Sequence, residues 1–136
     1  MRVKLDESAF MPARAHSTDA GYDLRTPVCV TVPAHGSVCV DTGVHIELPP
    51  GKCAVVISKS GLYTKHDISS TGLIDEGFTG TIIVNLQNHS DMDYTFLRGD
   101  KVSQFFITNY YDEVLELVSE LSPSDRGDAG YGSTGR

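Results

Sequence analysis

The 136 residues suit one domain with its own hydrophobic core and leave little room for a second folding unit. Apolar residues at 40% against 21% charged, with 13 Gly, 6 Pro and no low-complexity tract, exclude a disordered or fibrous chain. With 18 Asp and Glu against 11 Lys and Arg the net charge is −7, which argues against a nucleic-acid groove, since that needs a basic excess or stripe.

The first segment, MRVKLDESAFMP, holds no apolar stretch of signal-peptide length, and nowhere do 18 apolar residues run together. The expectation is a soluble protein with no membrane contact. Cys29, Cys39 and Cys53 are odd in number, sit in apolar runs and lack the close spacing of a zinc or redox pair. They read as reduced core residues in a cytoplasmic setting, with a nuclear or a virus-encoded protein as the alternatives.

Short β-favouring runs then follow one another: Val28–Val32, Ser37–Asp41, Val44–Leu48, Cys53–Ser58, Thr81–Gln87, Tyr94–Leu97, Val102–Thr108 and Val114–Val118. Val28, Val30 and Val32 alternate with other residues, as do Val38 and Val40, the pattern of strands with one buried face. Turns fall at His35-Gly36, Pro49-Pro50-Gly51, Ser90-Asp91 and Arg98-Gly99-Asp100. No segment keeps a helical period for three turns, although Gly61–Asp67 has room for one short helical turn. The reading is all-β, a single-domain sandwich or jelly roll over 1–121.

From Ser122 to Arg136 there is no large aliphatic side chain, so 122–136 is predicted to be a mobile C-terminal arm. Its content is nonetheless suited to a nucleotide. Arg126 offers a planar fork of donors to phosphate, Ser133 and Thr134 with the amides freed by Gly132 and its fellow glycines can form an anion nest, and Tyr131 presents a flat face to a base.

Three further constellations carry possible chemistry. Ser58-Lys59-Ser60-Gly61 follows a strand and opens a turn or helix, where backbone donors can meet phosphate, though such a run is also an ordinary surface turn. Gly72-Leu73-Ile74-Asp75-Glu76-Gly77-Phe78-Thr79-Gly80 reads as a hairpin whose exposed backbone can match a base while Asp75 holds a water; otherwise it is a solvated acidic tip. Asp23 and Gln104 are single polar residues at strand edges. The five His show neither ligand spacing nor a neighbouring nucleophile, and His66 and His89 are expected at the surface.

Taken in order, these segments resemble the motifs of the trimeric dUTP pyrophosphatase (dUTPase) family. Ala20-Gly21-Tyr22-Asp23-Leu24 is similar to the first, Ser58 to Leu62 to the second, Gly72 to Gly80 to the third, Gly99 to Gln104 to the fourth and Arg126 to Gly135 to the fifth. The resemblance implies a jelly-roll homotrimer with three active sites between subunits, hydrolysing dUTP to dUMP and pyrophosphate with Mg2+. That activity would limit uracil incorporation into DNA and supply dUMP for thymidylate synthesis.

By the same resemblance Asp75 activates the attacking water, and Gly72, Leu73, Ile74 and the backbone at Ile83 face uracil and deoxyribose, with Phe78 as the wall under the sugar. Lys59, Ser60 and Gly61 hold phosphate oxygens. Asp23 acts on the metal through water, Gln104 joins it, and Arg126, Tyr131, Gly132, Ser133 and Thr134 close over the nucleotide. Lys59 stands where the family usually has Arg, which loosens phosphate binding by losing the bidentate fork. Phe78 replaces Tyr, Thr79 replaces Arg and Tyr131 replaces Phe.

Two rivals share this pattern. A dCTP deaminase has a similar third motif but needs a proton-shuttling Glu where this chain has Asn85, and an amide exchanges no useful proton near neutral pH. An inert regulatory module would keep the pocket without the chemistry, which intact Asp23, Asp75, Gln104 and Arg126 oppose. A regulatory protein partner for an active enzyme is compatible with the sequence.

Overall fold

A computed structural model describes residues 1–129. The chain runs β1 (Arg2–Leu5), β2 (Tyr22–Arg25), β3 (Val30–Val32), β4 (Ser37–Glu47), β5 (Lys52–Ile57), α1 (Ser60–His66), β6 (Ile68–Ser69), β7 (Thr71–Ile74), β8 (Thr81–Asn88), β9 (Tyr94–Phe96) and β10 (Lys101–Asn109). One antiparallel sheet has the order β1-β4-β8-β6, a second β2-β10-β5-β7, and β3 pairs with β9 in a ribbon. The expected all-β, jelly-roll-like sandwich is the architecture found, and among the described residues the one helix is the short α1.

The clearest link from residues to layer is β8. Ile82, Val84, Leu86 and Asn88 are buried while Ile83, Asn85 and Gln87 are exposed, the period of two that one covered face demands. Opposite them, Leu24, Ala54, Val56 and Phe105 of the second sheet close the core, and Val32 with Phe96 seals one end. Truncating Phe96 or Phe105 would forfeit about 3–5 kcal/mol through lost transfer energy and an unfilled cavity. Asn88 is the polar exception. Its amide nitrogen donates to the carbonyls of Val32 (3.1 Å) and Met92 (2.8 Å), and its oxygen accepts from Ser90, so the burial leaves nothing unpaired.

Four expectations need correction. Ser37–Asp41 and Val44–Leu48 are not two strands but the one strand β4, which carries a register shift between Asp41 and His45. Gly43 makes this possible: its φ is +64°, and a Cβ there would come within 2.9 Å of Ala9. Second, Gly72–Gly80 is not a hairpin. β7 pairs with β5 and β8 with β4 and β6, so the loop from Asp75 to Gly80 crosses between sheets.

Third, Val114–Val118 forms no strand. Val114, Leu115 and Leu117 are almost fully exposed, because a β-favouring run with no neighbouring edge has no ladder to join. Fourth, only Cys53 is a core residue; Cys29 and Cys39 are exposed, placed on the outward side of their runs, and all three are free thiols.

Candidate functional site

The second sheet assembles the first half of the site. In β10 the pairing with β2 slips between Lys101 and Ser103, and Val102 and Ser103 are consecutive buried residues, as a bulge produces. Lys101 and Gln104 therefore both leave the core side and reach one cavity of about 360 Å³, lined also by Asp19, Gly21, Asp23 and Lys59. Gly21 packs against Gln104 there: a Cβ would come too close to Gln104 Oε1, so that side-chain end would have to move.

Asp23 sits at the centre, buried, with Lys59 Nζ on one carboxylate oxygen and Lys101 Nζ at 2.6 Å from the other. Burial pushes its pKa up, but hydrogen bonds from Lys101 and Lys59, with the charges of both, outweigh it and hold the carboxyl below the ordinary aspartate value. The Ser58-Lys59 step is fixed from beneath. Gln104 Nε2 donates to the Ser58 carbonyl (3.2 Å), the Ser70 amide donates to Ser58 Oγ (2.8 Å), and Ser103 Oγ donates to the Ile57 carbonyl (2.9 Å). Lys59 then caps α1, its carbonyl accepting from Leu62 and Tyr63, while Ser60 and Gly61 begin the helix, exposed, with first-turn amides that have no intrahelical acceptor.

The other half is the crossing loop. Gly72, Leu73 and Ile74 lie on β7, the edge of the second sheet; Ile74 is buried opposite Ala54, and Leu73 is 65% exposed. Asp75 follows, exposed, and among the described residues its carboxylate has no hydrogen-bond partner. Its carbonyl accepts from the Phe78 amide (3.1 Å), closing a turn. Phe78 lies folded on Gly80, where a Cβ would meet its ring at 2.6 Å. The Thr79 carbonyl accepts a hydrogen bond from His45 Nδ1 at 2.9 Å. Ile83 points outward from β8 opposite Asp41, on the same face as Asn85.

These two halves are not brought together within one chain: no residue of 72–83 lines the cavity around Asp23. Arg126 is exposed in a turn, its Nε donating to the Ala129 carbonyl at 2.9 Å. Tyr131, Gly132, Ser133 and Thr134 lie outside the described residues.

The dUTPase family model matches residues 7–135. The chain belongs to the dUTPase family. It is 41% identical to the deoxyuridine 5'-triphosphate nucleotidohydrolase of Clostridium acetobutylicum, over 97% of this chain and 93% of that protein. To the nucleotidohydrolase of Oryza sativa subsp. japonica it is 40% identical, over 97% of this chain and 78% of that protein.

Among solved structures, the dUTPase of Staphylococcus bacteriophage 80alpha with dUPNHPP matches with a TM-score of 0.92 at 28% identity, covering 99% of this chain and 98% of that one. A variant of the dUTPase from phage phi11 of S. aureus, described with a structural Mg(II) ion, matches with a TM-score of 0.80 at 28% identity, covering 88% of this chain and 96% of that one.

In this dUTPase-family chain the donor set suits a hydrated magnesium. No three His, Cys, Asp or Glu side chains gather as a cage among the described residues. Asp23 has two oxygens with about four lone-pair sites and spends two on lysines, so waters of an ion can still bond it. Sequence reasoning missed the role of Lys101, although it lies inside the fourth motif; a bulge that turns it toward Asp23 leaves no local signal. It also missed Glu76, which accepts from the Gly51 amide and the Tyr110 hydroxyl.

Proposed function

We propose that this chain is a dUTP diphosphatase, hydrolysing dUTP to dUMP and pyrophosphate by attack of water at the α-phosphorus. The observation that carries the reading is the state of Asp75, an exposed carboxylate at the end of an edge strand that has no hydrogen-bond partner among the described residues. A carboxylate whose lone pairs are unspent can accept a proton from water, whereas Asp23, bound by two ammonium groups, is a poor base.

Gly72, Leu73 and Ile74, with the backbone at Ile83, face uracil and deoxyribose. Fixed backbone groups matched to uracil would be left unpaired by cytosine, which makes the rejection strong. Phe78, set against Gly80, forms the wall under the sugar and excludes a 2′-hydroxyl by shape. Lys59 has three donors, so it can keep Asp23 while turning another toward phosphate, beside the amides of Ser60 and Gly61. Bound magnesium would supply charge neutralisation on the phosphates. Asp23 and Gln104 would hold the ion through water. Arg126 offsets charge on the departing pyrophosphate, and Tyr131, Gly132, Ser133 and Thr134 close the arm, 122–136, over the nucleotide.

The active form is a homotrimer with sites shared between subunits. Two observations support this: the Asp23 cavity and the Asp75 loop stay apart in one chain, and Val114, Leu115 and Leu117 are left without cover. The setting is the cytoplasm, where the reaction limits uracil entry into DNA and supplies dUMP; no described helix is long and apolar enough to cross a membrane.

The test is a panel of dUTP, dCTP, UTP and dTTP assayed for pyrophosphate and ammonia together. Pyrophosphate from dUTP alone, lost on chelation of magnesium, is expected. Ammonia from dCTP would transfer the chain to the deaminase class, against Asn85.

A further inference from the structure

We propose that Glu76 is the positioning residue that aims Asp75, through a junction with Gly51 and Tyr110; the inference rests on the dUTP diphosphatase reading. Nothing holds the Asp75 carboxylate directly among the described residues, so its direction follows from the backbone on either side. Before it, Ile74 is 7% exposed and paired with Ala54 in the sheet. After it, the backbone is caught at the next residue.

Glu76 Oε2 accepts from the Gly51 amide at 2.6 Å and from the Tyr110 hydroxyl at 2.7 Å. The Tyr110 amide in turn donates to the Gly51 carbonyl at 3.2 Å. Three chain segments close into one ring: the turn between β4 and β5, the crossing loop, and the residue that follows β10. Both acceptor bonds end on a charged oxygen, the stronger kind of hydrogen bond. The Tyr110 hydroxyl, then the Gly51 amide, hold the Glu76 carboxyl below its ordinary value, and the same contact raises the Tyr110 phenol.

What looks in sequence like a solvated acid at a loop tip is thus a tether. Because Tyr110 directly follows β10, the junction also fixes where the tail leaves the sandwich relative to Asp75. A group that aims a water gains from such bracing, since a displacement of about 1 Å costs on the order of a hundredfold in rate.

The test uses the full chain with magnesium: steady-state hydrolysis of dUTP, and in parallel the Kd for the imido analogue dUpNHpp. Glu76→Ala removes both bonds and should lower kcat about thirtyfold, with the analogue's Kd within about threefold. Glu76→Gln, which keeps an acceptor oxygen, should recover part of the loss. Tyr110→Phe should lower kcat about threefold, and the double variant Glu76→Ala with Tyr110→Phe should be no slower than Glu76→Ala alone, since both act on one junction.

An unchanged kcat in Glu76→Ala overturns the role, as do parallel losses of kcat and analogue binding, or losses that multiply in the double variant. Should Glu76→Ala fail to fold, the kcat-only loss of Tyr110→Phe decides. An unsubstituted chain that releases no pyrophosphate from dUTP overturns the parent reading as well, whereas an active enzyme with unaffected variants sinks Glu76 alone.

Discussion

The two carboxylates of the proposed site are prepared in opposite ways. Asp23 is buried and bound on both oxygens by lysines of its own chain, whereas Asp75 is exposed and, among the described residues, its carboxylate is held only through its backbone. The difference teaches how charge is divided between jobs. On the proposed reading, a carboxylate paired with two ammonium groups can organise a hydrated cation without adding net negative charge beside a triphosphate, while one whose lone pairs are unspent among the described residues can accept a hydrogen bond from water.

Substitutions can break this comparison, and the largest effect falls on the free carboxylate. Asp75→Asn should lower kcat by about 10²–10⁴-fold, the range for losing a general base, with little change in unfolding midpoint; pyrophosphate release and a urea titration check both halves. Next, deleting 124–136 should cost about a hundredfold in kcat by removing Arg126 and the closing residues, with trimer mass retained in light scattering.

Lys101→Met should act in the reverse sense, on stability first. It leaves one oxygen of a buried carboxylate without its cation, a loss of about 1–3 kcal/mol by urea denaturation. On the loop side, Gly80→Ala should push the Phe78 ring from its place and relax discrimination between dUTP and UTP by about fivefold in kcat/KM, with stability unaltered.

The smallest effect is in pH. The folded pKa of Asp23 is lowered, so its contribution to stability is present above the unfolded value of 3.8 and is lost as pH falls through the folded one. Asp23→Asn should therefore flatten the acid limb of the stability curve below about pH 4. An acid limb of unchanged slope in that variant would show that the two lysines do not stabilise the charged form.

Much of the sandwich was legible because burial of one face imprints a period of two, as in Ile82, Val84 and Leu86 of β8. What was not legible depends on neighbours far along the chain. Gly43 reads as a break between strands, yet it lets β4 continue through a bulge because Asp6 donates to its carbonyl from the N-terminal segment. β1 and β2 were missed since Arg2–Leu5 and Tyr22–Arg25 become strands only by joining edges supplied by β4 and β10. The reverse holds for Val114–Val118, where propensity is present and an edge is not.

In the site, Asp23, Lys59, Gln104 and Asp75 stood out by motif. Lys101 did not, because the bulge at Val102 redirects it, and Glu76 did not, because Gly51 and Tyr110 lie 25 and 34 residues away.

The reaction can be followed most directly by running one turnover of dUTP in heavy-oxygen water and locating the label by mass spectrometry. Attack at the α-phosphorus places the heavy oxygen in dUMP, and Asp75→Asn should slow its appearance there. Label in pyrophosphate would mean attack at the β-phosphorus and contradict the geometry assigned to Asp75.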